Sequence, residues 1–305
     1  MTETAWEDEW ERLLWKKKPY PDNHVPKSFL SSLSKNSNFR PYTYWYLVRS
    51  SFAVTQHLAT IVIFVAIFVH LNERKLDPRA LVWASVGTFL AGWLVWEALD
   101  CCSGRQLLRG TSASTTRAKI VKSSILVFLA LMSVSPVLRT LTAATSSDSI
   151  WALSACLFIL NALLADYTAL PLDTHLRERL TSVLSMNAAI SSSVVLASRL
   201  PSDLSVFGLT LVSVQLFALF PMLRRRLQAG PAIVQTAVTI ILCLSSILSA
   251  DSVSRTATAL VFAAFTAVTF VAPGVHVWAQ KYKNEIRGTW DPAVPRVNRT
   301  EKPII

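Results

Sequence analysis

Eight stretches of this chain run for 16 residues or more without one Asp, Glu, Lys or Arg: 50–72, 80–96, 123–138, 149–165, 180–198, 204–223, 227–250 and 256–280. Together they hold 161 of the 305 residues. A soluble domain carries about 25% charged residues and distributes them over most of its helices and strands. Here 16% are charged and 52% hydrophobic, so a soluble domain of this length is excluded. With only 8 Gly and 14 Pro, collagen-like and disordered classes are excluded as well. The chain reads as a protein that crosses a bilayer repeatedly.

An α-helix needs about 20 apolar residues to cross roughly 30 Å of hydrocarbon. The charge-free runs, 16 to 25 residues long, fit once flanking interfacial residues are counted. Barrel strands would instead alternate in polarity over about 10 residues, and Phe64-Val65-Ala66-Ile67-Phe68-Val69 does not alternate. The sequence therefore predicts an all-α, polytopic membrane fold of eight transmembrane helices. The second to fourth runs reach spanning length only if Glu97, Lys122 or their flanks lie near the headgroups. The first run, at 23 residues, is too long for a signal-peptide core and is expected to act as an internal anchor.

Eight crossings put both ends on one side. The segments on that side (1–49, 97–122, 166–179, 224–230 and 281–305) carry 24 Lys plus Arg, and the four opposite loops (73–79, 139–148, 199–203 and 251–255) carry 6. The positive-inside rule then places both termini in the cytosol. The expected organisation is a cytosolic N-terminal segment over 1–49, an eight-helix transmembrane domain over 50–280 and a cytosolic tail over 281–305. The last three non-cytosolic loops each hold one Arg and one Asp (Arg139 and Asp148, Arg199 and Asp203, Arg255 and Asp251). They read as an interfacial rim of loosely paired charges, in which an exposed pair contributes about 0–1 kcal/mol.

In the N-terminal segment Trp6, Trp10, Leu13 and Leu14 share one helical face, followed by Lys16, Lys17 and Lys18. That pattern suits a helix lying among lipid headgroups, with tryptophans at the interface and lysines on anionic lipid, or a helix that binds a partner. Pro19-Tyr20-Pro21-Asp22-Asn23 breaks it. Phe39 to Tyr46 adds an aromatic belt before the first span.

Within the spans, Ser185, Ala189, Ser193 and Ala197 recur every four residues, a helix-packing seam of small side chains. Gln56, His57, Asn161, Asn187, Gln215 and Gln235 are the polar groups there, and helix–helix hydrogen bonds are the default expectation because an unpaired amide in hydrocarbon costs several kcal/mol. Cys156 and Cys243 fall inside spans, which does not suit a disulfide framework. Cys101 and Cys102, just cytosolic of the second span, are reduced thiols or palmitoylation sites. The sequon Asn298-Arg299-Thr300 lies on the cytosolic side and should be unmodified.

No acidic or basic residue occupies the middle of a span, where coupled transporters keep one. There is no transporter-type internal repeat, no Gly-rich phosphate loop, no H-E-x-x-H and no zinc-spaced cysteine pair. Asp173, His175 and Glu178 share one loop, which reads as solvated and not as a metal or acid–base site. The residues offer no catalytic constellation, no metal or cofactor site and no nucleic-acid signature. An accessory or scaffolding membrane subunit fits best.

Blocks along nearly the whole chain carry a family resemblance. They are Pro19-Tyr20-Pro21-Asp22-Asn23-His24-Val25, Tyr44-Trp45, Ser135-Pro136-Val137-Leu138-Arg139-Thr140-Leu141-Thr142, Asp148-Ser149-Ile150, Asp166-Tyr167, Leu184-Ser185-Met186-Asn187-Ala188, Leu196-Ala197-Ser198-Arg199-Leu200-Pro201, Gln215-Leu216-Phe217-Ala218-Leu219-Phe220-Pro221 and Gly288-Thr289-Trp290-Asp291. In that order they resemble the PIG-C family, a subunit of phosphatidylinositol N-acetylglucosaminyltransferase, in its fungal form. The resemblance implies a complex at the cytosolic face of the endoplasmic reticulum. That complex transfers N-acetylglucosamine from UDP-N-acetylglucosamine to phosphatidylinositol, the first step of glycosylphosphatidylinositol anchor synthesis. It further implies a PIG-A-like catalytic subunit beside PIG-H-, PIG-P-, PIG-Q- and PIG-Y-like partners.

On that footing the chain is expected to assemble the complex and to help present phosphatidylinositol. Arg224, Arg225 and Arg226 end the sixth span at headgroup depth, where guanidinium forks suit phosphate; alternatively they only set topology. Asp22, Asn23, Asp166 and Tyr167 are expected to order cytosolic loops or to bond inositol hydroxyls. The competing readings are a purely structural scaffold, an independent lipid transporter or scramblase, and a self-sufficient transferase.

Overall fold

The computed structural model describes residues 34–35, 41–102, 112–142, 145–167, 177–228, 232–283 and 286–287. They form eight helical segments: α1 (Tyr44–Asn72), α2 (Pro78–Cys102), α3 (Ser112–Thr140), α4 (Ser147–Leu164), α5 (Arg177–Ala197), α6 (Asp203–Gln228), α7 (Ala232–Asp251) and α8 (Arg255–Tyr282). Seven are long and apolar enough to cross a membrane. In α5 the stretch with described side chains, Val183–Ala197, is apolar. Among the described residues one two-residue antiparallel ladder, Ser34–Lys35 with Ile286–Arg287, is the sole strand pairing. The helical architecture expected from the charge-free runs is thus present, one helix per run. The N-terminal amphipathic helix, Asp173, His175 and the Asn298 sequon lie outside the described residues, as do the side chains of Cys101 and Cys102.

Four helices start on a capping side chain. Asp77 Oδ1 accepts from the Arg79 amide at 2.9 Å ahead of α2. Ser146, Ser202 and Ser254 accept from the amides of Ser149, Ser205 and Thr256 at the starts of α4, α6 and α8. Each cap satisfies an amide that the helix itself leaves unpaired, and Asp148 and Asp203 add first-turn carboxylates that suit the helix dipole.

The chain divides into two compact units, Tyr44–Gly274 and a second made of 1–43 with 275–305. In the second, the Gln280 side chain accepts from the Tyr42 amide at 2.7 Å and donates to the Tyr42 carbonyl at 3.2 Å. In the first, α6 is the central element: every residue from Ser205 to Ser213 is buried. Gly208 lets α2 approach it, since a Cβ there would stand 3.3 Å from Leu81 Cδ2. Phe64 of α1, Phe158 of α4 and Phe217 of α6 meet edge-on or tilted with centroids 5.4–5.7 Å apart and form the centre of the apolar core.

α4 and α5 run antiparallel in close register. Asn161 bonds Ser185 at one end and Ser192 bonds the Ser154 carbonyl at 2.9 Å two turns along. α1 and α8 are antiparallel too. The Tyr44 hydroxyl donates to the Phe270 carbonyl at 3.4 Å, whereas His70, at the far end of α1, lies 2.7 Å from Ser252, just before α8 begins. The start of the first helix therefore lies beside the late part of the last.

Two π-helical turns interrupt α6 and α8, at Gln215–Leu219 and Ala267–Val271. Each ends two residues before a proline, Pro221 and Pro273. A proline inside a helix lacks an N–H and clashes with the carbonyl four residues earlier, and the wider turn relieves that crowding. At the end of the bundle away from these prolines, Arg139 pairs with Asp203 at 3.0 Å and Arg199 donates to the Thr145 carbonyl. This differs from pairing inside each loop: the contacts join 139–148 to 199–203, because the α4–α5 hairpin brings those loops together.

Phe64 is fully buried against two other rings. Truncation of such a phenylalanine costs about 3–5 kcal/mol. The Phe64→Ala variant is expected to lower the thermal midpoint of the detergent-purified chain far more than Phe64→Leu. Equal midpoints would show that these rings do not form the core.

Candidate functional site

A buried polar cluster lies where α1, α4 and α6 converge. It begins with the three arginines that close α6. Arg224 is 3% exposed and turns inward. Its guanidinium donates to the Ala53 carbonyl of α1 at 3.1 Å and to the Asp166 carbonyl at 3.4 Å. It also faces the Tyr167 ring, 5.6 Å from the centroid. The small Ala53 side chain leaves the α1 backbone reachable, and a helical carbonyl with one lone pair in its own ladder can accept again. Arg224 Nε, buried, has no partner. A guanidinium keeps its charge even here, so the carbonyls and the ring stand in for lost water.

Arg225 points the other way. It pairs with the Asp166 carboxylate at 3.2 Å, with side chains 44% and 14% exposed; a pair this open contributes about 0–1 kcal/mol. Arg226 stacks on Trp96 of α2, 3.5 Å from the ring centroid, and Trp93 donates to Glu97 at 3.4 Å one turn away. Consecutive helix positions diverge by about 100°, so three adjacent arginines reach three different environments.

The corner after α4 is fixed from both sides. Tyr167 donates its hydroxyl to the Ala162 carbonyl at 2.7 Å and packs edge-on against His57, centroids 5.7 Å apart. Burial pushes the Tyr167 phenol up to about 12, and the nearby Arg224 charge pulls it down by less. Beneath the corner, Asn161 donates to both the carbonyl and the hydroxyl of Ser185 at 2.8 Å. Ser185 in turn donates to the Asn161 carbonyl at 2.8 Å. With both amide hydrogens so engaged, Asn161 Oδ1 must accept from His57 Nε2, 2.7 Å away, which fixes the imidazole tautomer. Gln56 donates to Thr239 of α7 at 2.8 Å and leaves its Oε1 buried without a partner.

The structure thus brings together Asp166, Tyr167, Arg224 and Arg225, and sets Arg226 apart on α2. Asp22 and Asn23 lie outside the described residues. Ser185, Ala189, Ser193 and Ala197 are all buried within the chain; Ser185 is part of the cluster, and Ser193 bonds its own helix at Ala189. Of the span amides, Gln56, Asn161 and Gln215 bond neighbouring helices, Gln215 through the Ser85 carbonyl at 2.9 Å. Sequence spacing alone does not tie His57, Asn161 and Ala53 to the arginines. The available signal is that Asn161 lies near the end of its span, as Arg224 does of its own, whereas His57 stands midway along α1. Among the described residues no group of three His, Cys, Asp or Glu is placed to hold a metal ion. The arrangement can fix three helices and a corner; it contains no paired nucleophile and base.

Two variants test this network. Asn161→Ala leaves Ser185 and His57 unmatched and is expected to destabilise the chain by about 1–3 kcal/mol. A double-mutant cycle with Ser185→Ala should give a coupling of about 0.6 kcal/mol, the average of such cycles in a membrane protein, and at most about 1.7; zero coupling would show that the contact is not made. Tyr167 ionises in the unfolded chain near pH 10 and in the fold only near 12. Its neutral form is thus held in the fold, and stability falls as pH rises from about 10 to 12. The Tyr167→Phe variant should lack that part of the alkaline loss in midpoint measurements across this range.

Comparison with known proteins places this geometry in a family. The family model GPI2, phosphatidylinositol N-acetylglucosaminyltransferase, matches residues 10–291. A Schizosaccharomyces pombe protein, the phosphatidylinositol N-acetylglucosaminyltransferase GPI2 subunit, is 35% identical over 291 residues, covering 94% of this chain and 87% of the relative. A Homo sapiens subunit of the same enzyme is 32% identical over 287 residues, covering 94% and 93%. A relative from Dictyostelium discoideum is 33% identical over 287 residues, covering 94% and 80%. No solved structure matches. The match extends across all eight helices and includes every residue of the buried cluster, and the chain belongs to the GPI2 family of phosphatidylinositol N-acetylglucosaminyltransferase subunits.

Proposed function

We propose that this chain is a non-catalytic, multispan subunit of the complex that transfers N-acetylglucosamine from UDP-N-acetylglucosamine to phosphatidylinositol, the first step of glycosylphosphatidylinositol anchor synthesis. It crosses the endoplasmic reticulum membrane eight times with both ends in the cytosol. It holds the other subunits, a PIG-A-like transferase and PIG-H-, PIG-P-, PIG-Q- and PIG-Y-like partners, in register. It also helps present the inositol lipid.

The observation that carries the assembly role is the inward guanidinium of Arg224 on the carbonyls of Ala53 and Asp166. A charge placed there ties the ends of α1, α4 and α6 into one rigid platform. Breaking a buried charge network of this kind costs about 3–5 kcal/mol. The even count of crossings is supported by the antiparallel α1 and α8, and by α5 running alongside α4 from Ser185 to Ser192. With the basic segments on the platform side, positive-inside bias makes that side cytosolic, and its charge attracts the anionic lipid and nucleotide sugar. Lipid presentation is supported by Arg225, half-exposed beside Asp166 at the end of α6. A purely structural reading is favoured by Arg224 alone, because that guanidinium is committed to protein groups.

The two roles separate experimentally. Arg224→Gln is expected to lower recovery of the intact complex. Arg225→Gln combined with Arg226→Gln should leave recovery intact and raise the apparent KM for phosphatidylinositol several-fold in the reconstituted complex, with kcat little changed. An unaltered KM would remove the presentation role and leave the scaffold. Labelling of cysteines placed in the two terminal segments, intact membranes against permeabilised ones, tests the orientation.

A further inference from the structure

Asn187 breaks the pattern set by the other span amides. Gln56, Asn161 and Gln215 are each matched by a neighbouring helix, and Gln235 lies in the first turn of α7, near its membrane boundary. Asn187 sits at the middle of α5, ten residues from each end of Arg177–Ala197. It is exposed, and so is Ser191, one turn further along the same face. At 1.5 Å per residue, Asn187 stands about 12 Å from the charged position Arg179 and about 18 Å from Arg199. Its side chain is too short to reach either headgroup layer.

Facing lipid, that amide would leave two donors and an acceptor in hydrocarbon, a cost of several kcal/mol. A lipid tail offers no partner for them. The antiparallel register of α4 and α5 sets Ile159 and Ala155 of α4 beside Asn187 and Ser191. Ala155 is exposed as well, so small side chains flank Ser191, where a helix can approach closely, while the exposed Ile159 stands level with the amide.

We infer that the Asn187–Ser191 face of α5 docks a transmembrane helix of another subunit, one carrying an Asn, Gln, Ser or Thr at mid-membrane depth that pairs with the Asn187 amide. A different subunit is the favoured occupant because the relatives of this chain are themselves subunits of one enzyme. The inference rests on the proposed crossing of α5 and on the proposed membership of a complex.

The test uses the full chain, tagged and expressed in place of the resident subunit, with the complex recovered in mild detergent. Asn187→Leu should cut co-recovery of at least one membrane partner about ten-fold, while Asn187→Gln restores it. Because the side chain is exposed, Asn187→Leu should leave the thermal midpoint of the isolated chain unchanged; a lower midpoint would assign the loss to folding and overturn the inference. A photo-crosslinking residue placed at 187 should yield an adduct whose mass is that of this chain plus another subunit. Adducts with lipid only, or with a second copy only, would overturn it. An Asn187→Cys variant labelled by a membrane-impermeant reagent would instead overturn the crossing of α5. Absence of any partner with the unaltered chain would overturn membership of a complex.

Discussion

The constraint on which the rest of this fold depends is the cost of an unmatched polar group in hydrocarbon. Apolar side chains alone do not choose helix neighbours in a bilayer, because lipid tails are as apolar as leucine. The hydrogen-bonded side chains do. Asn161 with Ser185 sets α4 against α5, Gln56 with Thr239 sets α1 against α7, Gln215 with the Ser85 carbonyl sets α6 against α2, and Thr55 with Thr269 sets α1 against α8. The phenylalanine cluster then fills the space these contacts define.

Arg224 is the extreme case of the same rule. Its charge cannot be shed, so the structure surrounds it with two carbonyls and a phenol ring. The consequence runs outward: Tyr167 is held by Ala162 and His57, His57 by Asn161, and Asn161 by Ser185. Family membership gives this platform a context, since the relatives are subunits of a phosphatidylinositol N-acetylglucosaminyltransferase.

Much of this was legible in the sequence, and the reason is physical. Long gaps between charges report helices because a bilayer admits no other open secondary structure, and each of the eight gaps became one helix. The small-residue repeat in α5 was readable for the same reason, since it needs only a period. The direction of Arg224 was not readable. Three arginines after an apolar run look alike, and which one turns inward depends on Ala53 of a helix far away in sequence. The ion pair between Arg139 and Asp203 was hidden likewise, because each loop contains a nearer-looking partner.

The π turns carry one more implication. A helix that inserts an extra residue per turn advances its later side chains by about a third of a circle relative to an unbroken rod. Past Leu219 and past Val271, the faces of α6 and α8 are therefore rotated from what their earlier halves would project. The polar lower half of α6 can thus address α1 and α4 while Ser205–Ser213 in its upper half stays buried. One rod serves two sets of neighbours, and a wheel drawn across its whole length would blur both.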